Sequence, residues 1–73
     1  MSPFMLAALT ALALDEAAQR TVDGRYIEAG TLGALRRKGL VGKVVKREQG
    51  RQKTTSPVTD AGRAFLASVA PAA

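Results

Sequence analysis

The first eighteen residues are dominated by apolar side chains and contain no helix breaker after Pro3. Ser2 can accept a hydrogen bond from an N–H of the first turn, and proline is favoured at the first position of a helix. Alanine and leucine, which make up most of the run, are strong helix formers. We therefore predict a helix over residues 3–18, with a core-facing stripe of Met5, Leu6, Leu9 and Leu12.

The opposite side of this helix is apolar as well. A single domain of 73 residues buries a modest core and has little with which to cover a second apolar face. We therefore expect a homodimer whose interface contains Phe4, Ala7, Ala8, Ala11 and Leu14.

A secretory signal peptide is the alternative for the same segment. Residues 4–14 resemble its apolar part, but no lysine or arginine precedes Arg20, so the positively charged start of a signal peptide is missing. The run is also shorter than the ~20 apolar residues that span a bilayer. We expect a cytoplasmic protein that makes no membrane contact.

A second helix is predicted over residues 31–38. Thr31 is a suitable N-cap, and Leu32 and Leu35 share one face because they lie three positions apart. Gly39 can adopt the positive φ that ends a helix. The side opposite the leucines combines small residues with one long guanidinium: Gly33, Ala34 and Arg37.

The segment between the two helices, residues 19–30, has the weakest pattern. Asp23-Gly24 is a turn signal. We predict a short strand at residues 25–27 that pairs with the later hairpin, with a single helical turn as the alternative, so the presence of a support helix stays open. Tyr26 and Ile27 are expected to pack beneath the second helix, and contact of Tyr26 with nucleic acid is the other possibility.

An antiparallel hairpin is predicted over residues 41–59, with its tip at Gln49-Gly50. Its apolar contacts are expected to come from Val41, Val44 and Val45.

A last helix is predicted over residues 60–70, with Thr59 as its N-cap. Its apolar stripe should contain Ala61, Phe65, Leu66 and Val69, with Phe65 central in the core.

Positive charge is concentrated in one part of the chain. The net charge is +5, and eight of the eleven lysine and arginine residues fall within residues 36–53, where Glu48 is the one acid. Such a basic segment on an otherwise neutral or acidic domain is typical of a protein that binds a polyanion. A basic surface kept for solubility is the alternative.

Two motifs carry a resemblance to a known family. The pattern L-x-x-K-G-L-V ends the second helix, and V-T-D-A-G-R-A-F-L follows the basic hairpin. In this order they resemble the second half of a winged helix-turn-helix DNA-binding domain of the MarR and PadR type of transcriptional regulator. The resemblance implies an α+β fold with one winged-helix domain over residues 1–73. It also implies that residues 31–38 form the recognition helix and that residues 43–55 form the wing.

The same resemblance, with the charge pattern, predicts the DNA-binding residues. Arg37 would read base edges, because its guanidinium can pair with two acceptors of guanine. Gly33 and Ala34 would allow close approach of the duplex. Phosphate contacts would come from Thr31, Arg36, Lys38, Lys43, Lys46, Arg47, Arg51 and Lys53.

The chain lacks the usual signs of an enzyme. It has no cysteine or histidine, which excludes disulfides and a His/Cys metal site, and it has no Gly-rich phosphate loop. We expect no catalysis, no cofactor, no metal and no small-molecule substrate.

The function predicted from the sequence is sequence-specific binding of double-stranded DNA, as a small repressor, a phage-type regulator or an excisionase-like architectural factor. The alternative is a protein-interaction module on a winged-helix scaffold, with an acidic or apolar partner surface. RNA binding by the hairpin is a third possibility, against which the scarcity of aromatic residues argues.

Overall fold

A computed structural model describes residues 2–69 and shows an α+β fold. Three helices and one two-stranded antiparallel sheet follow each other along the chain. Helix α1 packs against both other helices, whereas the two strands pair with each other and no helix backbone lies against them. The elements are α1 (Pro3–Leu14), α2 (Ala29–Arg37), β1 (Val44–Glu48), β2 (Arg51–Thr55) and α3 (Asp60–Val69).

Helix α1 begins as predicted and ends four residues early. Ser2 is its N-cap, with the hydroxyl accepting from the Met5 N–H at 3.2 Å. The helix stops at Leu14 instead of continuing to Ala18, because Asp15 takes an extended backbone and its carboxylate accepts from the Ala17 N–H at 3.0 Å. Aspartate often favours such a local hydrogen bond over continuing a helix.

The core lies where α1 meets the other two helices. Leu9 of α1 and Leu35 of α2 are completely buried. In the predicted stripe of α1, Leu9 and Leu12 are buried, while Leu6 is half-buried. Two alanines take the inward positions instead, and their small side chains allow close packing. The buried apolar set is Ala8, Leu9, Ala11, Leu12, Ile27, Leu35, Leu40 and Val41.

The segment between α1 and α2 forms neither a support helix nor a strand of the hairpin. The predicted strand at residues 25–27 is reduced to one β-bridge between Tyr26 and Arg20. The Ile27 N–H donates to Gln19 O at 2.9 Å, and the Thr21 N–H donates to Arg25 O at 2.8 Å. The segment thus folds back on itself, because its turn brings its own two ends together.

That turn is held by polar side chains. The Thr21 hydroxyl donates to the Asp23 carboxylate and also accepts from the Arg25 N–H at 3.1 Å. The hydrogen bond from Thr21, helped by the Arg25 guanidinium at 3.4 Å, lowers the pKa of the Asp23 carboxyl below its ordinary value.

The hairpin has a tight two-residue turn. Glu48 and Arg51 pair directly, so Gln49 and Gly50 form the loop, with φ values of 51° and 76°. Positive φ at both positions is the type I′ turn, whose twist matches that of the strands. The tip lies at the predicted residues.

Beyond the strands, the same register continues to the root of the hairpin. Val41 forms a bridge with Val58, and the Gly42 N–H donates to Pro57 O at 2.8 Å. Val41 is buried, but Val44 and Val45 are 37% and 43% exposed. Of the three valines predicted to make apolar contacts, Val41 is therefore the one that is buried, while the other two stay partly exposed.

Helix α3 is fixed at its N-terminal end. Thr59 caps it as predicted, since its hydroxyl accepts from the Gly62 N–H at 3.0 Å. The same hydroxyl donates to Gly39 O at 2.7 Å, which joins the start of α3 to the end of α2. Phe65 is half-buried rather than central. The predicted last residue, Ala70, lies outside the described residues.

Gly62 is the buried residue of α3. A Cβ at this position would overlap the Leu40 carbonyl oxygen and lie 2.6 Å from Val58 Cγ1. Only glycine lets α3 approach the chain this closely, and the sequence pattern had pointed to larger residues instead.

Candidate nucleic-acid interface

The C-terminal end of α2 is the best-defined part of the candidate interface. The Leu40 N–H donates to Leu35 O at 3.1 Å, and the Gly39 N–H donates to Arg36 O at 2.9 Å. Gly39 has a φ of 74°. This pair of bonds is the Schellman motif, which ends the helix where the sequence predicts and directs the chain toward the hairpin.

The N-terminal end of α2 differs from the prediction. The helix begins at Ala29 with Glu28 as its N-cap, and no side chain caps it. Thr31 therefore lies inside the first turn and is half-buried, so its predicted role as N-cap is wrong. Nothing in residues 29 and 30 prevents helical backbone, and the Leu32 N–H donates to Glu28 O at 3.1 Å.

The solvent-facing side of α2 carries small residues and one long cation. Arg37 is exposed, and its Nη1 lies 3.9 Å from the place that a Cβ on Gly33 would occupy. Its guanidinium thus lies back along the helix over Gly33. Ala34 is half-buried on this side, and Lys38 is exposed at the C-cap.

Arg36 has a different position from the one predicted for a phosphate contact. It is half-buried, and its Nη2 donates to Ser56 Oγ at 3.0 Å. Its Nε is buried and has no acceptor within the described chain. Arg36 therefore joins α2 to the end of β2. The sequence gave no signal for this pair, because twenty positions separate the two residues.

The hairpin carries cations on both of its faces. Because residues directly opposite each other share a face, Lys46 and Lys53 lie side by side. Glu48 lies opposite Arg51 on that same face. Arg47 projects from the other face, opposite a glutamine.

None of these cations forms an ion pair within residues 2–69. Among residues 2–69, the ion pair that forms joins Arg25 to Asp23, outside the hairpin. Nine of the ten strand residues are exposed. Two lysines facing each other repel, so this surface favours the approach of an anion.

A groove lies beside the hairpin. It has a volume of about 580 Å³ and is bounded by β2 on one side and by residues 16–19 and Tyr26 on the other. Arg36 and Leu32 of α2 also line it. Tyr26, which was predicted to pack beneath α2, is 61% exposed, while its neighbour Ile27 is 3% exposed.

The predicted dimer interface needs correction. Ala8 and Ala11 are buried within the subunit, so they cannot meet a second copy. Phe4 and Ala7 are half-buried, and Leu14 is exposed. The accessible apolar surface of α1 lies on a different side of the helix from the one predicted. On this side a second groove, of about 450 Å³, is lined by Pro3, Leu6, Ala7, Thr10, Val22 and Asp23.

Residues 2–69 contain neither a metal-binding cluster nor a membrane-spanning helix. No three His, Cys, Asp or Glu residues are grouped so as to hold a metal ion. No helix there has the length and apolar content needed to cross a membrane.

The structure exposes most of the residues that were predicted to contact DNA. Four of the eleven are half-buried, namely Thr31, Gly33, Ala34 and Arg36. The seven exposed ones are all cations: Arg37, Lys38, Lys43, Lys46, Arg47, Arg51 and Lys53. Comparison of the chain with protein-family models, with curated proteins and with solved structures gives no match in any of the three.

Proposed function

We propose that the protein binds double-stranded DNA with sequence specificity and acts in the cytoplasm as a small transcriptional regulator, either a repressor or a phage-type regulator. The observation that carries the proposal is the set of seven exposed lysine and arginine side chains at the end of α2 and on the hairpin. None of those on the hairpin forms an ion pair within the described chain. Duplex DNA presents one negative charge per ~1.7 Å of its axis, which suits such a surface.

In this proposal, α2 enters the major groove. An α-helix with its side chains is ~10–12 Å across, which fits the ~12 Å width of that groove. Gly33 and Ala34 let the duplex approach closely, and Arg37 reaches the O6 and N7 atoms of a guanine. Lys38, at the end of the helix, contacts phosphate.

The hairpin acts as the wing. Its strands project free of the helices and carry cations on both faces, so they can follow the phosphate backbone beside the groove. The arrangement proposed is a reduced winged helix, in which α1, α2, the hairpin and α3 are present and a folded turn segment replaces the support helix.

A homodimer completes the proposal. Leu6, Ala7 and Val22 line an apolar groove on the outer side of α1, and Leu14 is 76% exposed at the end of the same helix. A two-fold pair of chains joined there would present two α2 helices to two half-sites of one operator.

The test is a salt titration of binding to random duplex DNA, run beside light scattering for mass. Neutralising Z phosphates gives a log–log slope of about −0.9 Z, so a slope of several units with dimeric mass is expected. Arg51→Ala should weaken binding to every sequence and reduce the slope by about 1. Absence of binding even at low salt would refute the proposal.

Arg37 has a separate test. On the cognate operator, once selected from a random pool, Arg37→Ala should cost about 1–3 kcal/mol of binding free energy, whereas on random DNA it should cost much less. Equal losses on the two DNAs would show that Arg37 contacts phosphate and does not read bases.

A second candidate function is a protein-interaction module. The apolar groove on α1, with Val22 78% exposed beside it, favours this candidate, in which the helix binds an apolar partner surface and the hairpin meets an acidic one. A mass that stays monomeric at all concentrations, together with indifference to DNA, would support it.

A further inference from the structure

The groove beside the hairpin has features that the proposed duplex binding does not use. Its volume of about 580 Å³ falls within the range of small-ligand sites. The duplex proposal uses the outer side of α2 and the cations of the hairpin, and it leaves Tyr26 without a role. The presence of Tyr26 among the residues that line the groove therefore needs its own explanation.

Tyr26 forms an exposed aromatic wall on a fixed backbone. Its ring is 61% exposed although it lines the groove. The backbone around it is held by the bridge to Arg20, and the next residue, Ile27, is anchored in the core. An aromatic ring that is presented to solvent on a fixed support offers a stacking surface for another planar ring.

Positive groups line the same groove. Arg51 and Lys53 lie along its hairpin side, and Arg36 lies at the junction of α2 and β2, where its Nε has no acceptor. Glu16 and Glu48 also line the groove, so cations outnumber acids there by three to two. The aromatic wall and the cations of β2 thus face one space, and a ligand that fits both has a planar ring and an anionic group.

We propose that this groove binds a single nucleotide unit, with its base stacked on Tyr26 and its phosphate held by Arg51 and Lys53. The unit is either a free nucleoside monophosphate or an unpaired nucleotide of a strand, since both offer the same chemistry. The proposal goes beyond duplex binding and does not depend on it, because the base of a paired nucleotide is not free to stack on a side chain.

The protein itself provides the signal for the test. Tyr26 is its one tyrosine, and it has no tryptophan, so the intrinsic fluorescence of the full chain reports on this ring. Thymidine monophosphate and a short oligothymidylate, added at low salt with correction for light absorption by the nucleotide, should quench this fluorescence saturably. Deoxyribose 5-phosphate, which carries the charge without a base, should not quench it.

Two substitutions separate stacking from simple attraction to the hairpin. Measured by calorimetry, Tyr26→Leu should weaken binding of the nucleotide probe about 5- to 100-fold, while Tyr26→Phe, which keeps the ring, should bind within about twofold of the parent protein. Circular dichroism checks that both variants are folded. The salt slope on random duplex DNA should be the same for all three proteins, because Tyr26 carries no charge.

The results distinguish the two sources of the nucleotide and can overturn the proposal. Quenching by the monophosphate supports a free nucleotide, and quenching by the oligothymidylate alone supports an unpaired nucleotide of a strand. Absence of saturable quenching by both probes would overturn the site, as would a folded Tyr26→Leu variant that binds as tightly as the parent. Neither failure would affect the proposal of duplex binding, which is tested by Arg51→Ala and Arg37→Ala with Tyr26 in place.

Discussion

The three helices and the hairpin differ in how much apolar surface they bury and how much charge they expose. The helices contribute most of the buried apolar residues, with Leu9 and Leu35 completely enclosed. The hairpin exposes nine of its ten strand residues and contacts no helix backbone, and four of those exposed residues are cations. Burial of apolar side chains therefore stabilises the helices, whereas the surface of the hairpin is mainly polar and charged.

Because of this difference, the helices and the hairpin are stabilised by different interactions. An isolated two-stranded hairpin is only marginally stable in water. Here it depends on its type I′ turn and on its root, where Val41 is buried and pairs with Val58. Substitutions among the helices should thus change the free energy of unfolding, and substitutions along the exposed strands should change the proposed DNA binding with little effect on folding.

The largest expected effect belongs to Gly62→Ala. The added Cβ would overlap Leu40 O and crowd Val58, so α3 must move away from the chain beneath it. Overpacking of this kind costs about 1–3 kcal/mol or more. Chemical denaturation followed by circular dichroism should show a lower midpoint, and the proposed DNA binding should be lost only as far as the protein unfolds.

Gly30→Ala is the matched control for Gly62→Ala. It adds the same methyl group in α2, where nothing lies within 4 Å of the new atom. Because alanine is the better helix former, this variant should be more stable than the parent by about 0.4–1 kcal/mol. If both glycine substitutions shifted the midpoint equally, the close approach of α3 at Gly62 would be wrong.

A smaller effect is expected at the joint between α2 and α3. Thr59→Ala removes the cap of α3 and leaves Gly39 O without its hydroxyl donor. Loss of an N-cap costs about 0.5–2 kcal/mol. Thr59→Ser keeps the hydroxyl and should restore most of that stability in the same denaturation experiment, whereas equal losses for alanine and serine would assign the effect to the methyl group.

Features that depend on neighbours in sequence were predictable. Gly39 ends α2, Gln49-Gly50 forms the hairpin tip and Thr59 caps α3, and each rests on the φ or hydrogen-bonding preference of one or two residues. The candidate cations were found for a similar reason, since lysine and arginine on an exposed hairpin have to face water.

Features that depend on distant parts of the chain were not predictable. The pairing of Arg36 with Ser56 requires the hairpin to fold back on α2, and the inward side of α1 depends on which helices pack there. Tyr26 is an intermediate case. In an extended segment adjacent side chains point to opposite sides, so burial of Ile27 already implied exposure of Tyr26.

The smallest expected effect on folding is also the sharpest test of the division between helices and hairpin. Lys53 lies directly opposite Lys46, and like charges in this position are destabilising. Lys53→Glu replaces repulsion by attraction, so the free energy of unfolding should rise by about 0.2–1 kcal/mol at low salt. Binding to random duplex DNA should weaken at the same time, with a salt slope smaller by at least about 1.

Lys53→Gln provides the control, because it removes the repulsion without adding an acid. Its stability and its affinity for DNA should both fall between those of the parent and Lys53→Glu. Opposite changes in stability and binding occur only if the hairpin charges serve a ligand at the expense of the fold. If Lys53→Glu instead lowered both stability and binding, the positive charge of Lys53 would contribute to the stability of the fold. The hairpin could then not be described as a region whose charges affect binding alone.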